Sequence, residues 1–366
     1  MTAAGIIVSG SRSRIPVRNL WLLMLYASRL YQRSEIVRNR GVEENPDDLL
    51  ELVAEVLVAA VERRLQRSLG RQYRERTATL NRVRGHIDLL ATESRMLLAQ
   101  GRVACRFHEL SVDNLCNRTL LTALVLGARH VRDKSLERRA RRLADTLAQY
   151  GVSRELISVR EAAQLSLGRN QRDDVEAVDA AWLVMQMVIP AEHKGWASGR
   201  EPEREASEIR HLYEAAVRGF YRAVLPPEWH AVGATQHGWP VVDETAGLRA
   251  VLPIMKTDTV LETVDRRIIV ETKFVDALKA NQYGTPRLDP KYVYQLYAYV
   301  QSQHDRDELS STAEGVLLYP VVGQHLDEAA TIQGHRYRIL TVDLAASASA
   351  IRRTLLSVPD PAGNAG

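Results

Sequence analysis

The chain has 366 residues, of which 45% are hydrophobic and 26% are charged, a composition typical of a folded globular protein with about two domains. Its net charge of +4 is mildly basic, which is compatible with nucleic-acid binding without requiring it. The longest uncharged apolar stretches, Leu20–Ala27 and Ala180–Ala191, are too short to span a bilayer, so we expect no membrane-spanning segment.

Cysteine and histidine usage narrows the class of protein further. The chain has two cysteines, Cys105 and Cys116, and neither belongs to a CxxC pair, so we expect neither structural zinc nor a disulfide framework. The ten histidines show no HExxH or similar ligand spacing. Residues 1–14 have no basic segment ahead of an apolar core, so we expect no secretory signal and a reducing cytoplasm as the setting.

The first half of the chain is predicted to be mostly helical. Helices are predicted at residues 20–31, 49–69, 114–130, 134–149 and 173–189, with one strand at 101–112. Glycine, serine and proline between Gly195 and Pro202 predict a break in the chain. We therefore expect a mostly helical domain over residues 1–195 and a second domain over residues 196–366.

The second half alternates predicted helices and strands. The predicted elements are a helix at 205–224, strands at 248–256, 258–262 and 267–274, a helix at 291–302, strands at 315–321 and 336–344, and a helix at 345–357. A loop with Gly284, Pro286 and Pro290 separates the third strand from the second helix, and the tail after Pro359 is predicted to be disordered. The predicted fold class is α+β, with a mixed central sheet flanked by helices.

Residues 252–273, with the sequence LPIMKTDTVLETVDRRIIVETK, give the strongest chemical signal. Asp258 begins one short apolar run, and Glu271 and Lys273 follow a second run of β-branched residues. Because residues i and i+2 share a face of a strand, Glu271 and Lys273 point the same way. An antiparallel hairpin of the two runs would place Asp258 beside them at the rim of a sheet. Two close carboxylates repel, and a divalent cation relieves that repulsion, as expected for metal-assisted phosphodiester cleavage.

Each of these features also has a simpler interpretation. The triplet by itself is a weak pattern that ordinary solvated strand ends match, although the apolar run before Glu271 predicts a buried strand. Gln295 and Tyr299 share a helix face and could support a site, or the tyrosines pack in the core and Gln295 lies on the surface. The clustering of Lys256, Lys273, Lys279 and Lys291 within 36 residues indicates either nearby phosphate or chance.

The triplet resembles the PD-(D/E)xK nuclease motif, and most of the chain resembles the McrC family, the nuclease subunits of modification-dependent restriction systems. Two departures are Thr257, where the wider motif has proline, and Glu271, where McrC-like chains often have aspartate. The segments that carry the McrC resemblance are Ile15–Asn19 with Tyr26-Ala27, Arg84–Asp88, Asp113-Asn114 with Asn117-Arg118, LPIMKTD, IIVETKF, Tyr294–Leu296 and Gly315–Pro320.

The resemblance implies a restriction-endonuclease-like fold for residues 196–366 and a Mg²⁺-dependent endonuclease activity. Asp258, Glu271 and the backbone carbonyl of Thr272 would hold the metal, and Lys273 would orient or deprotonate the attacking water. Gln295 would support the site. Glu214 would be either an additional metal-binding acid, as in some nucleases of this class, or a surface glutamate.

The resemblance also implies a partner. The chain has no GxxxxGK[ST] phosphate loop, so energy coupling would come from another subunit. In the McrC family that subunit is McrB, a hexameric AAA+ GTPase that recognises double-stranded DNA carrying methylcytosine. Residues 1–195 would dock on it and stimulate its GTPase. Two alternatives remain: a non-catalytic subunit that only stimulates the GTPase, and a free-standing Mg²⁺-dependent nuclease of the RecB-like kind.

Overall fold

The structure is a computed structural model that divides the chain into two compact units. It describes residues 5–7, 14–34, 37, 48–67, 69–192, 202–233, 236–239, 241, 243–280, 285–302, 307–321 and 325–360. One unit, which we call the inserted unit, spans Leu50–Val188. The other, which we call the sheet unit, combines Met1–Leu49 with Ile189–Gly366.

The sheet unit begins with a short antiparallel ribbon and two helices. The elements are β1 (Gly5–Ile7), β2 (Arg14–Pro16), α1 (Val17–Ala27) and α2 (Arg29–Arg33). The predicted helix over 20–31 is therefore interrupted at Ser28, whose hydroxyl accepts a hydrogen bond from the backbone N–H of Tyr31 and so caps α2.

The inserted unit is mostly helical and carries a three-stranded antiparallel sheet of order β3-β5-β4. Its elements are α3 (Leu49–Arg67), β3 (Gln72–Leu80), β4 (His86–Ile87), α4 (Leu89–Ser94), β5 (Val103–Ser111), α5 (Leu115–His130), α6 (Lys134–Gln149), α7 (Val159–Ala162) and α8 (Val175–Glu192). The four helices and the strand predicted in this part of the chain are confirmed to within a few residues.

The rest of the sheet unit follows α8. Its elements are α9 (Pro202–Val224), β6 (His230–Gly233), β7 (Gln236–His237), α10 (Leu248–Val251), β8 (Met255–Lys256), β9 (Thr259–Glu262), β10 (Arg267–Thr272), β11 (Lys279–Ala280), β12 (Pro286–Arg287), α11 (Pro290–Gln301), β13 (Glu314–Val321), β14 (Asp327–Ile332), β15 (His335–Asp343) and α12 (Ala348–Leu356). None of the helices in the described ranges combines the length and apolar character needed to cross a bilayer.

A six-stranded mixed sheet of order β14-β15-β13-β10-β9-β6 forms the centre of the sheet unit. The pairs β10–β13 and β13–β15 are parallel, and the other three pairs are antiparallel. All six residues of β10 are buried, as expected for a central strand. Together with the flanking helices, this sheet confirms the predicted α+β class.

The division into units differs from the predicted boundary at residue 195, because α1 belongs with the sheet unit rather than with the helices that follow it. A Cβ atom at Gly219 of α9 would overlap the carbonyl oxygen of Tyr26, so α1 and α9 cross at very close range. The Asn19 side chain donates a hydrogen bond to the carbonyl oxygen of Leu344, 2.7 Å away. The predicted break at 195–202 lies, apart from Pro202, outside the described residues.

Several predicted strands need correction. Residues 248–256 form helix α10 and the short strand β8 instead of one strand, with Pro253 between them and Val251 and Ile254 exposed. Strands β3 and β14 were not predicted. Most of β3 and all of β14 are exposed, so their sequences show no alternation between apolar and polar residues. The predicted disordered tail falls, beyond Asp360, outside the described residues.

Candidate active site

The predicted hairpin is present, and it places Asp258 at the end of β10. Strands β9 and β10 pair antiparallel with Thr259 opposite Val270, so the register continued by one residue sets Asp258 opposite Glu271. The Asp258 carboxylate oxygen Oδ2 accepts hydrogen bonds from the backbone N–H of Thr272 at 2.8 Å and from the Thr272 hydroxyl at 2.7 Å. Both bonds use the same oxygen, so the carboxylate is fixed in orientation without Oδ1 taking part.

Glu271 is buried beside this aspartate. It is 1% exposed, and its Oε1 accepts a hydrogen bond from Lys273 Nζ at 2.5 Å. This contact confirms that the side chains of Glu271 and Lys273 lie on one face of the strand. The other carboxylate oxygen, Oε2, is buried without a hydrogen-bond partner. A buried polar oxygen without a partner is costly, and a ligand that contacted this atom would relieve that cost.

The electrostatics of Glu271 follow from its position. Burial, and then the nearby negative charge of Asp258, raise the pKa of Glu271 to about 7 from its ordinary value of 4.5. The Lys273 ammonium and the backbone amide of Asp258 act in the opposite direction but do not cancel the shift. The site therefore holds more negative charge than its own lysine neutralises at neutral pH.

Lys273 is held from two sides. Its backbone N–H donates to the carbonyl oxygen of Leu318, 3.0 Å away, which extends the pairing of β10 with β13 past Thr272. Its Nζ lies 5.1 Å from the ring centroid of Tyr292, within the range of a cation–π interaction. Tyr292 was not among the predicted site residues, although it lies three positions before Gln295 and so shares a face of α11.

Helix α11 carries Gln295, which the structure links to Tyr299. Gln295 Nε2 donates to the Tyr299 hydroxyl at 2.8 Å, which confirms that the two residues share a face of the helix. Gln295 makes this bond rather than one to Asp258, Glu271 or Lys273. Leu296 packs so tightly on Gly315 of β13 that an added Cβ would lie 3.0 Å from it. The helix is thus seated directly against the central sheet.

The acidic side chains near the site determine whether it can bind a metal ion. Glu214 Oε1 accepts a hydrogen bond from Arg218 Nη2, 3.2 Å away and one turn later on α9, so its charge is paired on its own helix. Within the described residues, no group of three or more His, Cys, Asp or Glu side chains is arranged to hold a metal. Mg²⁺ binds in proteins through one or two carboxylates and retains several waters, so Asp258 and Glu271 are enough carboxylates for it.

The paired asparagines that contribute to the family resemblance lie in the inserted unit and form a hydrogen-bonded network. Asn114 caps α5 by accepting from the backbone N–H of Asn117 at 3.0 Å. The Asn117 side chain donates to the carbonyl oxygens of Gly70 at 3.0 Å and Val112 at 2.7 Å. Arg64 donates to Asn117 Oδ1 at 3.1 Å. These contacts join the end of α3 to the start of α5 and give these residues a structural role.

Comparison with known proteins places the chain in a class of restriction-system components. A family model described as "McrBC 5-methylcytosine restriction system component" matches residues 9–320. The chain therefore belongs to this family, which confirms the resemblance found in the sequence.

The chain is also similar to individual known proteins. The chain is 25% identical over 356 residues to a protein of Escherichia coli (strain K12) named "Type IV methyl-directed restriction enzyme EcoKMcrBC", covering 94% of this chain and 97% of the relative. Among solved structures it is similar to a chain in a refined half-complex from a tetradecameric assembly of Thermococcus gammatolerans McrB AAA+ hexamers with bound McrC. That match has 14% identity and a TM-score of 0.42, and it covers 94% of this chain and 76% of the other.

Proposed function

We propose that this chain is the Mg²⁺-dependent DNA endonuclease subunit of a modification-dependent restriction system. The observation that carries the proposal is the pair of carboxylates at the end of β10. Asp258 is fixed by Thr272, and Glu271 is buried beside it with one oxygen unpartnered and its pKa raised to about 7. The Lys273 ammonium does not cancel this rise in pKa, and a metal ion bound by the two carboxylates would supply further positive charge.

The residues present fit a magnesium ion. Asp258 and Glu271 would be its carboxylate ligands. In an extended strand the N–H and C=O of one residue face the same side. The N–H of Thr272 donates to Asp258, so the carbonyl of Thr272 faces the same side and is the expected backbone ligand. When bound, Mg²⁺ would stabilise the negative charge that develops on the phosphodiester during hydrolysis. Family membership supports the same assignment, since the family is described as a restriction system component.

Lys273 would act on the attacking water. Its Nζ is held between the Glu271 carboxylate and the Tyr292 ring, so the ammonium keeps a defined position at the rim of the sheet. In this position it can orient the water towards the phosphate, or take its proton after losing its own. Gln295 and Tyr299 would support the site because their hydrogen bond holds the side chains on the face of α11 that also carries Tyr292.

The substrate and the partner are proposed from the family. Its description names 5-methylcytosine, and the Escherichia coli relative is named a methyl-directed restriction enzyme. We therefore propose double-stranded DNA carrying modified cytosine as substrate and the cytoplasm as the setting. This sequence has no GxxxxGK[ST] loop, so we propose that nucleotide hydrolysis is performed by an McrB-like AAA+ GTPase hexamer, which this chain stimulates.

The substitution Asp258→Ala tests the proposal. Losing one of two carboxylate ligands should reduce cleavage of methylated DNA, measured with Mg²⁺ and the partner GTPase, by at least about a thousandfold, or roughly 4 kcal/mol of activation free energy. Stimulation of the partner's GTPase should persist. Asp265→Ala is the matched control, because Asp265 is an exposed carboxylate on the β9–β10 turn, 2.6 Å from Thr263 Oγ1, and its loss should leave cleavage unchanged.

Two outcomes would contradict the proposal. Cleavage by Asp258→Ala at the wild-type rate would place the chemistry elsewhere. A wild-type chain that stimulates the GTPase while no DNA product forms would favour the non-catalytic alternative.

A further inference from the structure

Three cationic side chains lie on the ribbon and helix start that follow β10, and we call Lys279, Arg287 and Lys291 the cationic ledge. Strands β11 and β12 pair antiparallel with Lys279 opposite Arg287. Lys291 is the second residue of α11, and all three side chains are exposed. Asp289, the N-cap of α11, accepts from the Lys291 backbone N–H at 3.1 Å and lies 3.5 Å from Lys279 Nζ, which ties the ribbon to the helix.

The ledge is adjacent to the candidate site through one aromatic ring. Lys273 Nζ lies 5.1 Å and Lys291 Nζ lies 6.0 Å from the centroid of the Tyr292 ring. The two ammonium groups are therefore at most about 11 Å apart, which is no more than the rise of about three phosphates of one DNA strand along the helix axis. A phosphate at the carboxylate pair and its neighbours on the strand can thus be contacted at the same time.

The charge on the ledge is largely unused by the fold. Asp289 contacts Lys279 and caps α11, whereas neither Arg287 nor Lys291 forms an ion pair with another residue that the structure describes. We propose that the ledge binds the DNA backbone next to the bond that is cleaved, an inference that rests on the proposed nuclease function. Contacts of lysine and arginine with phosphates fix the register of a duplex without reading its sequence.

Salt dependence of binding is the specific signature of such contacts. Each phosphate neutralised by a lysine or arginine releases counterions, so log Kobs falls against log salt with a slope of about −0.9 per contact. The test uses the full chain, a fluorescently labelled DNA duplex and EDTA, which stops metal-dependent cleavage. Anisotropy is recorded over a range of salt concentrations for the wild type, Arg287→Gln, Lys291→Gln and the double variant.

A matched control removes one exposed positive charge elsewhere in the same unit. Arg336 is exposed on β15, next to the edge strand β14, and Arg336→Gln changes the net charge by the same amount. If the ledge binds DNA, each single ledge variant should reduce the magnitude of the slope by about 0.9, and the double variant should reduce it by about twice that. Arg336→Gln should leave the slope at the wild-type value, and all variants should keep the wild-type melting temperature.

The outcomes separate the ledge from the nuclease assignment. Equal slopes for the wild type and the ledge variants would contradict the proposal that the ledge binds DNA. An equal reduction of the slope in Arg336→Gln and in the ledge variants would contradict it too. A wild-type chain that binds no duplex even at low salt would overturn it as well. Cleavage of methylated DNA by the wild type with Mg²⁺ and the partner is scored separately, and its absence would count against the nuclease assignment instead.

Discussion

The two ends of strand β10 carry buried charges with opposite surroundings. At the first end, Arg267 is 6% exposed and donates to Glu262 at 2.6 Å and to both carboxylate oxygens of Asp307 at 3.0 and 2.6 Å. Burial lowers the pKa of Arg267, but the hydrogen bonds to Asp307 and Glu262 outweigh it and leave the pKa raised. At the other end, Glu271 pairs with Lys273, lies near the negative charge of Asp258 and keeps one carboxylate oxygen unpartnered.

The difference separates a buried charge that the fold pairs fully from one that it pairs only in part. A buried ion that is fully paired holds the fold in one arrangement, whereas an incompletely paired buried ion needs a further group. The same distinction applies to Arg338, which is 7% exposed and donates to both oxygens of Asp327 at 2.7 Å. Perturbed carboxylates that lack a structural partner are typical of functional sites.

Removing the paired charge of Arg267 should lower the stability of the fold. Arg267→Met leaves Glu262 and Asp307 without their partner, and both are partly exposed and can rehydrate. We expect a loss of about 3 kcal/mol in the free energy of unfolding, measured by urea denaturation at neutral pH. Cleavage per folded molecule should be unchanged, since Arg267 is at the far end of the strand. A loss of cleavage without a loss of stability would break the comparison.

Removing the incompletely paired charge of Glu271 should have the opposite effect on stability and raise it. The folded-state pKa of Glu271, about 7, lies above its ordinary value of 4.5, so the folded chain retains a proton that the unfolded chain has lost. Stability is therefore lost as pH rises from about 4.5 to 7, by up to about 3 kcal/mol. Without metal, Glu271→Gln should be more stable than the wild type at pH 8, and this advantage should disappear near pH 4.5.

Urea denaturation in EDTA at several pH values measures this difference directly. Titrating groups distant from Glu271 are common to both proteins and cancel when the two curves are subtracted. Curves that run parallel across this pH range would show that Glu271 has the same pKa in the folded and unfolded chain, and would remove the electrostatic argument for a metal.

How much the sequence predicts depends on whether a feature is local. The hairpin, the shared strand face of Glu271 and Lys273, and the shared helix face of Gln295 and Tyr299 follow from strand and helix periodicity. The structure confirms each of them. Helix α11 begins at Pro290, after the Asp289 N-cap, one residue from its predicted start, because both residue types favour a helix start.

Features that depend on distant parts of the chain could not be predicted. The pairing of Arg267 with Asp307 joins residues forty positions apart, and the contact of Asn19 with Leu344 joins the two ends of the sheet unit. No periodicity in the sequence encodes either one. Strands β3 and β14 were missed for another reason: their residues are mostly exposed, so the apolar pattern that predicts strands is absent.

Calorimetric titration of Mg²⁺ into the full chain at pH 8 tests the central claim most directly, namely that Asp258 and Glu271 together bind a divalent cation. The account predicts one site in the wild type, retained in the Asp265→Ala control and lost in Asp258→Ala and in Glu271→Gln. Proton release on binding should grow as the pH is lowered towards 7, because a larger fraction of Glu271 is then protonated before the metal binds. Equal Mg²⁺ binding by the wild type and both carboxylate variants would contradict the account.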